Sequence, residues 1–195
     1  MNALLRLSRA IDALNQRVGR SMLWLVLIAV LISAANAVMR KAFNLSSNAF
    51  LEVQWYLFAA IFLLCAGYTL LRNEHVRIDV ISNHLSPRTR AVIDILGTLF
   101  FLLPLALMML GLSWPAFIDA YSSHELSSDA GGLPRWPVKL LIPLGFALLA
   151  LQGVSELVKR IAFLGGQAPD PLAGHRGKPA EQELAEEIAR QRGPA

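Results

Sequence analysis

Residues 51–80 read LEVQWYLFAAIFLLCAGYTLLRNEHVRIDV and contain a long segment without a charged side chain. Between Glu52 and Arg72 lie 19 consecutive residues that include no Lys, Arg, Asp or Glu. At 1.5 Å per residue, a helix of this length covers about 28 Å, close to the ~30 Å hydrocarbon core of a bilayer. The segment therefore predicts a membrane-spanning helix over about residues 52–71.

The composition of the whole chain is typical of a membrane protein. Of its 195 residues, 55% are hydrophobic and 16% are charged, whereas soluble domains carry about 25% charged residues. The sequence pI is about 9.6, but the basic residues lie between apolar segments and form no basic face, so we expect no nucleic-acid partner. The single cysteine, Cys65, excludes an internal disulfide.

Three further apolar segments complete a predicted membrane domain over residues 21–164. The additional helices are predicted at about residues 21–39, 92–118 and 136–158. Pro104 is expected to kink the third helix, and Trp136 with a snorkelling Lys139 extends the fourth to membrane thickness. The first segment also resembles a secretory signal peptide, because Ala35-Asn36-Ala37 has the form of a cleavage site. Its length favours a membrane helix.

Residues 1–20 are predicted to form an amphipathic surface helix. Apolar residues recur every three or four positions, at Leu4, Leu7, Ile11, Leu14 and Val18, whereas Arg6, Arg9, Gln16 and Arg17 fall on the opposite side. Such a helix can lie along the membrane surface with its arginines at anionic headgroups. The alternative is a helix that packs on a partner protein or on the rest of the chain.

Residues 165–195 are predicted to form a polar cytoplasmic tail. The glycines and prolines of residues 165–179 are typical of a linker. Residues 180–192 have helical character, with Leu184 and Ile188 on one side. Because so short a helix is marginal in water, we expect this segment to become ordered only on a partner.

The basic residues predict the orientation of the chain. Of the 18 Lys and Arg residues, 14 lie before the first helix, between the second and third, or after the fourth, and these positions share one side of the membrane. Basic loops stay in the cytoplasm. We therefore predict an all-α integral membrane protein with four transmembrane helices, an N-terminal amphipathic interfacial helix and both termini in the cytoplasm.

The sequence contains no recognisable catalytic, cofactor or metal site. Its four histidines lie outside the apolar segments, which excludes haem ligation at membrane depth. The apolar segments also hold no charged residue that would mark an ion or substrate pathway, and we expect the carboxylates near segment ends, Glu52, Asp94, Asp119 and Glu156, to be hydrated. These observations predict a membrane scaffold that meets another membrane protein, and not an enzyme. The alternative is a stand-alone four-helix transporter or channel that acts as a homo-oligomer.

Small residues on two of the predicted helices allow close helix contact. They are Ala59, Ala60, Ala66 and Gly67 on the second helix and Gly145 and Ala147 on the fourth. The contact is either with another subunit or within this chain, and the sequence leaves both open.

Two blocks of residues resemble a known family. The first is Glu52…Trp55-Tyr56…Gly67-Tyr68…Arg72…His75-Val76-Arg77-Ile78-Asp79, and the second is Leu133-Pro134-Arg135-Trp136-Pro137 followed by Ile142-Pro143-Leu144-Gly145-Phe146 and Leu151-Gln152-Gly153. Together with the four helices and their topology, these blocks resemble the small permease (Q-type) subunit of TRAP (tripartite ATP-independent periplasmic) transporters. The resemblance covers about residues 5–165.

The resemblance implies a function that depends on partners in the bacterial inner membrane. In the family, a large TRAP permease subunit carries the cation and substrate sites, and a periplasmic substrate-binding protein delivers the substrate, generally an organic acid. The small subunit braces the scaffold of the large one within the lipid bilayer. The resemblance thus implies secondary transport that a cation gradient drives.

The resemblance also implies structural rather than catalytic roles for the site residues. Those expected at subunit contacts or at the membrane boundary are Glu52, Trp55, Tyr56, Gly67, Arg72, His75, Arg77, Asp79, Trp136 and Gly145. Glu52 is expected to pair with Arg40 or Lys41, or to bond to the large subunit. The loop with Glu125 and Asp129 either touches the binding protein or is simply solvated.

Overall fold

The computed structural model describes residues 2–44, 47–73 and 85–169. Its elements are α1 (Asn2–Phe43), α2 (Asn48–Arg72), α3 (Pro87–Gly97), a π-helical turn (Thr98–Leu102), α4 (Leu103–Ser122) and α5 (Trp136–Leu164). Because α3, the π turn and α4 form one continuous rod, four helices are long and apolar enough to cross a membrane. Apart from one isolated bridge between Leu126 and Pro134, the regular structure of these residues is helical. The predicted all-helical chain with four such helices is confirmed.

The helices extend beyond the predicted apolar segments because the polar turns that flank those segments are also helical. The second, third and fourth predicted helices lie inside α2, the rod and α5. α1 runs without a break from Asn2 to Phe43, over 42 residues, so no helix ends at the predicted boundary at residue 20. The placement of residues 1–20 on a membrane surface and the orientation of the termini stay predictions. Residues 170–195 of the predicted tail lie outside the described residues.

α5 lies at the centre of the bundle and packs against α1, α2 and α4, while α1 also packs against α2. Two glycines bring α2 and α5 close together. A Cβ on Gly145 would lie 2.7 Å from the carbonyl oxygen of Leu63, and one on Gly67 would lie 3.1 Å from the carbonyl oxygen of Leu148. Since apolar surface gains little by leaving lipid, such close backbone packing is a main source of helix association in a membrane.

The π turn adjusts the rod to the surface of α5. The Leu103 amide donates to the carbonyl of Thr98, five residues back, just before Pro104, whose ring would clash with a carbonyl in a regular helix. The extra residue in the turn rotates the following helix, so that Ala91 before the turn and Ala106 after it are both buried. The irregularity therefore lies one turn before the predicted kink.

The close contact at Gly145 predicts a specific loss of stability. An added methyl group must displace the backbone of α2, and overpacking of this kind costs about 1–3 kcal/mol. We expect Gly145→Ala to lower the melting temperature of the purified protein in detergent by several degrees. Gly111→Ala is the matched control, because nothing lies within 4 Å of a Cβ at that position. Because alanine favours a helix more than glycine does, Gly111→Ala should leave the melting temperature equal or slightly raised. Identical melting temperatures of the two variants would contradict the close contact between Gly145 and α2.

Candidate assembly sites at the two ends of the helix bundle

The loop between α4 and α5 closes over the start of α2 through a buried carboxylate. Glu52 is only 5% exposed, and its Oε2 accepts a hydrogen bond from the Leu133 amide at 2.6 Å. Its Oε1 accepts the hydroxyl of Ser127. Among the described residues, Glu52 therefore bonds to this loop and not to Arg40 or Lys41, the partners expected within the chain.

Further hydrogen bonds fix the shape of the loop, residues 123–135. Its two sides are joined by backbone bonds from Ser127 to Leu133 and from Arg135 to Glu125. The Tyr56 hydroxyl donates to the carbonyl of Pro134 at 2.9 Å. α2 thus holds the loop at two positions one helical turn apart, and we call this arrangement the loop clamp.

A second carboxylate of the loop pairs with the first turns of α5. Glu125 accepts a hydrogen bond from the Lys139 ammonium group, and Arg135 lies 3.7 Å from its other oxygen. The hydrogen bond from Lys139 holds the pKa of Glu125 below its usual value of 4.5, more than burial raises it. Glu125 is therefore ionised at neutral pH, and its bond to Lys139 adds a polar connection at this end of the bundle.

The opposite end of the bundle contains a buried polar cluster that the sequence interpretation missed. Its members are Ser8, Asp12 and Asn15 of α1, Asp94 of α3, and Gln152, Ser155, Glu156, Lys159 and Arg160 of α5. Asn15 and Gln152 are fully buried, and the Asn15 amide donates to Gln152 at 2.9 Å. The Gln152 amide in turn donates to Asp12 at 2.9 Å and to Glu156 at 3.1 Å.

Ionic contacts extend the polar cluster from α1 across α5 to α3. The Lys159 ammonium lies 3.2 Å from Asp12 and also contacts Glu156. The Arg160 guanidinium bonds to Glu156 and, through Nε at 3.1 Å, to Asp94. α5 therefore presents two adjacent cations that each connect it to a different neighbouring helix. Glu156, which we expected to be hydrated, is buried between them.

One atom of the polar cluster has no hydrogen-bond partner among the described residues, namely Oδ1 of Asn15. It faces Gly67 so closely that a Cβ there would overlap it. The Asn15 amide group is turned toward Gln152, which fixes the oxygen toward the glycine. Gly67 is therefore needed for three helices, α1, α2 and α5, to meet at one point.

The ten predicted site residues lie in different parts of the structure. Glu52 and Tyr56 belong to the loop clamp, whereas Gly67 and Gly145 are used for contacts within the chain. Trp136 begins α5 and meets Tyr121 edge-on at 5.7 Å, and Arg72 at the end of α2 donates to the Tyr68 hydroxyl at 3.1 Å. Trp55 is exposed on the outside of α2. His75, Arg77 and Asp79 lie outside the described residues, and a role of any of these ten residues at a subunit interface stays a prediction.

A weak sequence signal for the polar cluster was available. Ser8, Asp12 and Asn15 recur at spacings of four and three, as do Gln152, Glu156 and Lys159, so each set occupies one helical face. The leucines of α1 dominated the interpretation instead. On the predicted apolar face, Leu7 and Leu14 are exposed and Ile11 is buried. Ser8 and Asn15 are buried as well, and both bond to α5.

The arrangement at both ends can hold helices together. Within residues 2–44, 47–73 and 85–169, no three His, Cys, Asp or Glu side chains lie close enough to hold a metal ion. The acidic groups described above are each bonded to cations, amides or hydroxyls of the same chain. Both ends are therefore candidate sites of assembly, since they define rigid surfaces for a partner.

The loop clamp predicts that one amide depends on Glu52. Glu52→Ala removes both acceptors, so the Ser127 hydroxyl and the Leu133 amide both lose their partner. An unsatisfied buried group costs about 1–3 kcal/mol, and we expect the Leu133 amide to exchange hydrogen roughly tenfold faster or more, as measured by mass spectrometry. Ser128→Ala, at an exposed position of the same loop, is the control and should leave this rate unchanged. An unchanged rate in Glu52→Ala would refute the clamp.

The polar cluster predicts that Arg160→Met is strongly destabilising. Removing one partner of a buried ion pair costs about 3–5 kcal/mol, because the remaining charge stays buried. In this variant, Glu156 would lose its contact with Arg160 and keep the one with Lys159. The melting temperature in detergent should fall well below that of Arg88→Met, which removes an exposed arginine of α3. The double variant Arg160→Met/Glu156→Gln should recover part of the loss. No recovery would show that the arginine acts by packing alone.

The comparison with known families agrees with this architecture. The family model described as "Tripartite ATP-independent periplasmic transporters, DctQ component" matches residues 29–163, which is more than half of the chain. No curated protein and no solved structure matches the chain. The matched region includes α2, the rod, the loop clamp and nearly all of α5. The chain therefore belongs to the DctQ family, the DctQ component of tripartite ATP-independent periplasmic transporters.

Proposed function

We propose that this chain is the small scaffold subunit of a cation-gradient-driven transporter that imports an organic acid or a related small solute. Its partners are a large permease subunit, which carries the cation and substrate sites, and a periplasmic binding protein, which delivers the solute. Family membership supports the assembly. The proposal assigns this chain a bracing role and no transport chemistry of its own.

One observation carries the bracing role. In every span, the charged side chains lie at the ends, and the apolar segments between them contain no Lys, Arg, Asp or Glu. Charged groups within a membrane normally mark ion or substrate pathways. A carrier of an organic anion needs such groups at the depth where the solute binds, so they must come from another subunit.

The outward faces of the helices suit a protein that stands between lipid and a large partner. Trp55, Phe58 and Phe62 form a stripe along α2, and each is more than half exposed. Phe100 and Phe101 of the π turn are exposed in the same way. These side chains are apolar enough for either neighbour, whereas the buried carboxylates Glu52 and Glu156 bond within the chain at the two ends.

We further propose that both termini are cytoplasmic, as the basic residues indicate. The loop clamp then faces the periplasm, and the polar cluster lies at the cytoplasmic end. In this orientation the exposed residues His124, Ser128 and Asp129 are available to the binding protein. The rigid shape that Glu52 imposes on the loop favours such a contact, because little conformational entropy is then lost on binding.

The test is purification of the tagged chain from its native membranes in mild detergent, with partners identified by mass. We expect a large multi-spanning permease in nearly equal amount. In addition, liposomes that contain this chain alone should show no uptake of organic acids under a sodium or proton gradient, whereas liposomes with the complete complex and binding protein should. Recovery of a homo-oligomer alone, together with uptake by that homo-oligomer, would overturn the proposal and support a stand-alone transporter.

A further inference from the structure

One exposed face of α1 is basic at one level and apolar further along the helix. Its members are Arg17, Arg20, Trp24, Leu27 and Leu31, whose spacings of three and four residues place them on one side of the helix. Both arginines are exposed, and the exposed fractions of Trp24, Leu27 and Leu31 are 70%, 48% and 59%. We call these five residues the α1 stripe.

The contacts of α1 with α2 place both arginines inside the edge of the membrane-spanning region. Gly19 packs on the ring of Tyr68 so closely that a Cβ on Gly19 would overlap the ring, so the two residues lie at one level. Tyr68 lies four residues, or about 6 Å, before Arg72, the first charged residue after the uncharged segment of α2. Arg17 and Arg20 therefore lie about 3 and 7 Å inside the level of Arg72.

The chain supplies no counterion to these two arginines among the described residues. Arg17 and Arg20 take part in none of the ion pairs found there. Asp12, the acidic residue of this part of α1, pairs with Lys159 of α5 instead. Because unpaired charges at the edge of the hydrocarbon are costly, the two guanidinium groups favour an anion that comes from outside the chain.

Helix geometry directs both arginines toward the headgroup layer. Each Cα–Cβ bond of a helix tilts toward the N-terminus of that helix. The N-terminus of α1 lies at this end of the bundle, since Ser8 and Ser155 are in contact there, with their hydroxyls 2.7 Å apart. The side chains of Arg17 and Arg20 can thus extend out of the hydrocarbon and bring their guanidinium groups to the depth of the lipid phosphates. Guanidinium binds phosphate through paired, charge-assisted hydrogen bonds.

The apolar part of the α1 stripe fits an acyl chain. Trp24, Leu27 and Leu31 continue inward from Arg20 along the same side of the helix. Arg20 and Leu31 are 11 residues apart, which is about 16 Å along the axis, whereas one leaflet is half of the ~30 Å hydrocarbon core. The stripe therefore offers a phosphate contact and an apolar contact in the order, and over the length, that a single phospholipid presents them.

We propose that the α1 stripe binds one anionic phospholipid from the leaflet at this end of the bundle. The phosphodiester lies against Arg17 and Arg20, and one acyl chain runs along Trp24, Leu27 and Leu31. Because the two arginines supply two positive charges, the site prefers a headgroup of net negative charge to a zwitterionic one. In the orientation proposed above, the lipid comes from the cytoplasmic leaflet, where anionic headgroups attract basic segments.

Native mass spectrometry of the full chain in mild detergent tests the preference. We expect phosphatidylglycerol to bind roughly tenfold or more tightly than phosphatidylcholine with the same acyl chains. Arg17→Gln/Arg20→Gln should bring the two affinities together. Arg40→Gln/Lys41→Gln, which removes two exposed cations at the other end of α1, is the control and should retain the preference. Equal affinities in the natural chain, or a preference that survives Arg17→Gln/Arg20→Gln, would overturn the proposal.

A soluble competitor distinguishes a lipid from a free phosphate compound. Glycerol phosphate at millimolar concentration has the phosphate and no acyl chain, so it should not displace phosphatidylglycerol from the natural chain. Complete displacement would assign the arginines to a soluble anion and reject the lipid site.

Photo-cross-linking in native membranes identifies the neighbour of the α1 stripe in the assembled protein. With benzoylphenylalanine in place of Trp24, the mass of the product should show an attached phospholipid, enriched in phosphatidylglycerol over the bulk membrane. The enrichment should disappear when Arg17→Gln/Arg20→Gln is added. Leu112, which is 68% exposed on α4, is the control position and should capture lipids in their bulk proportions. Cross-links from position 24 to another protein only, or to lipids in bulk proportions, would contradict the proposal.

Discussion

The ionic contacts of Lys159 and Arg160 determine how α1 and α3 are positioned against α5. Along the apolar spans, packing alone has to align the helices, because lipid solvates their surfaces as well as protein does. At the end of the bundle, α5 gives one cation to Asp12 of α1 and the next to Asp94 of α3. Adjacent residues on a helix point about 100° apart, so these two bonds fix the positions of two neighbours around a single axis.

Such buried ion pairs contribute more to specificity than to net stability. Moving charges out of water costs about as much free energy as their attraction returns. The polar cluster therefore acts mainly by excluding other arrangements of the helices. A rotation or a one-residue shift of α1 would separate Asp12 from Lys159 and Asn15 from Gln152. The π turn then allows the rod to satisfy Asp94 at one end while Ala106 packs on α5 further along. The rod and α5 thus form both the Arg160–Asp94 ion pair and a closely packed contact.

The hydrophobic pattern of the sequence was sufficient to locate the membrane-spanning helices, but it did not show which faces of these helices are buried. The uncharged segments predict four helices because a bilayer sets their length, and that constraint is local. Glu52 could be singled out at the start of a span, but its partners Ser127 and Leu133 lie 75 and 81 positions away and nothing local specifies them. The apolar residues of α1 indicated a face for the bilayer or a partner, and they did not indicate which residues pack on α5. Ser8, Asp12 and Asn15 share a face by their spacing, and the structure shows that this face pairs with α5.

The separation of polar groups into two ends suits the bracing role that we propose for this chain. A brace has to keep its shape while a neighbouring subunit moves, and it has to do so inside a solvent that gives apolar helices little reason to stay together. The loop clamp holds α2 to the α4–α5 connection through Glu52 and Tyr56, and the polar cluster holds α1 and α3 to α5. Between these ends the helices need only close packing, as at Gly67 and Gly145, which leaves their outer faces apolar for lipid and for a partner.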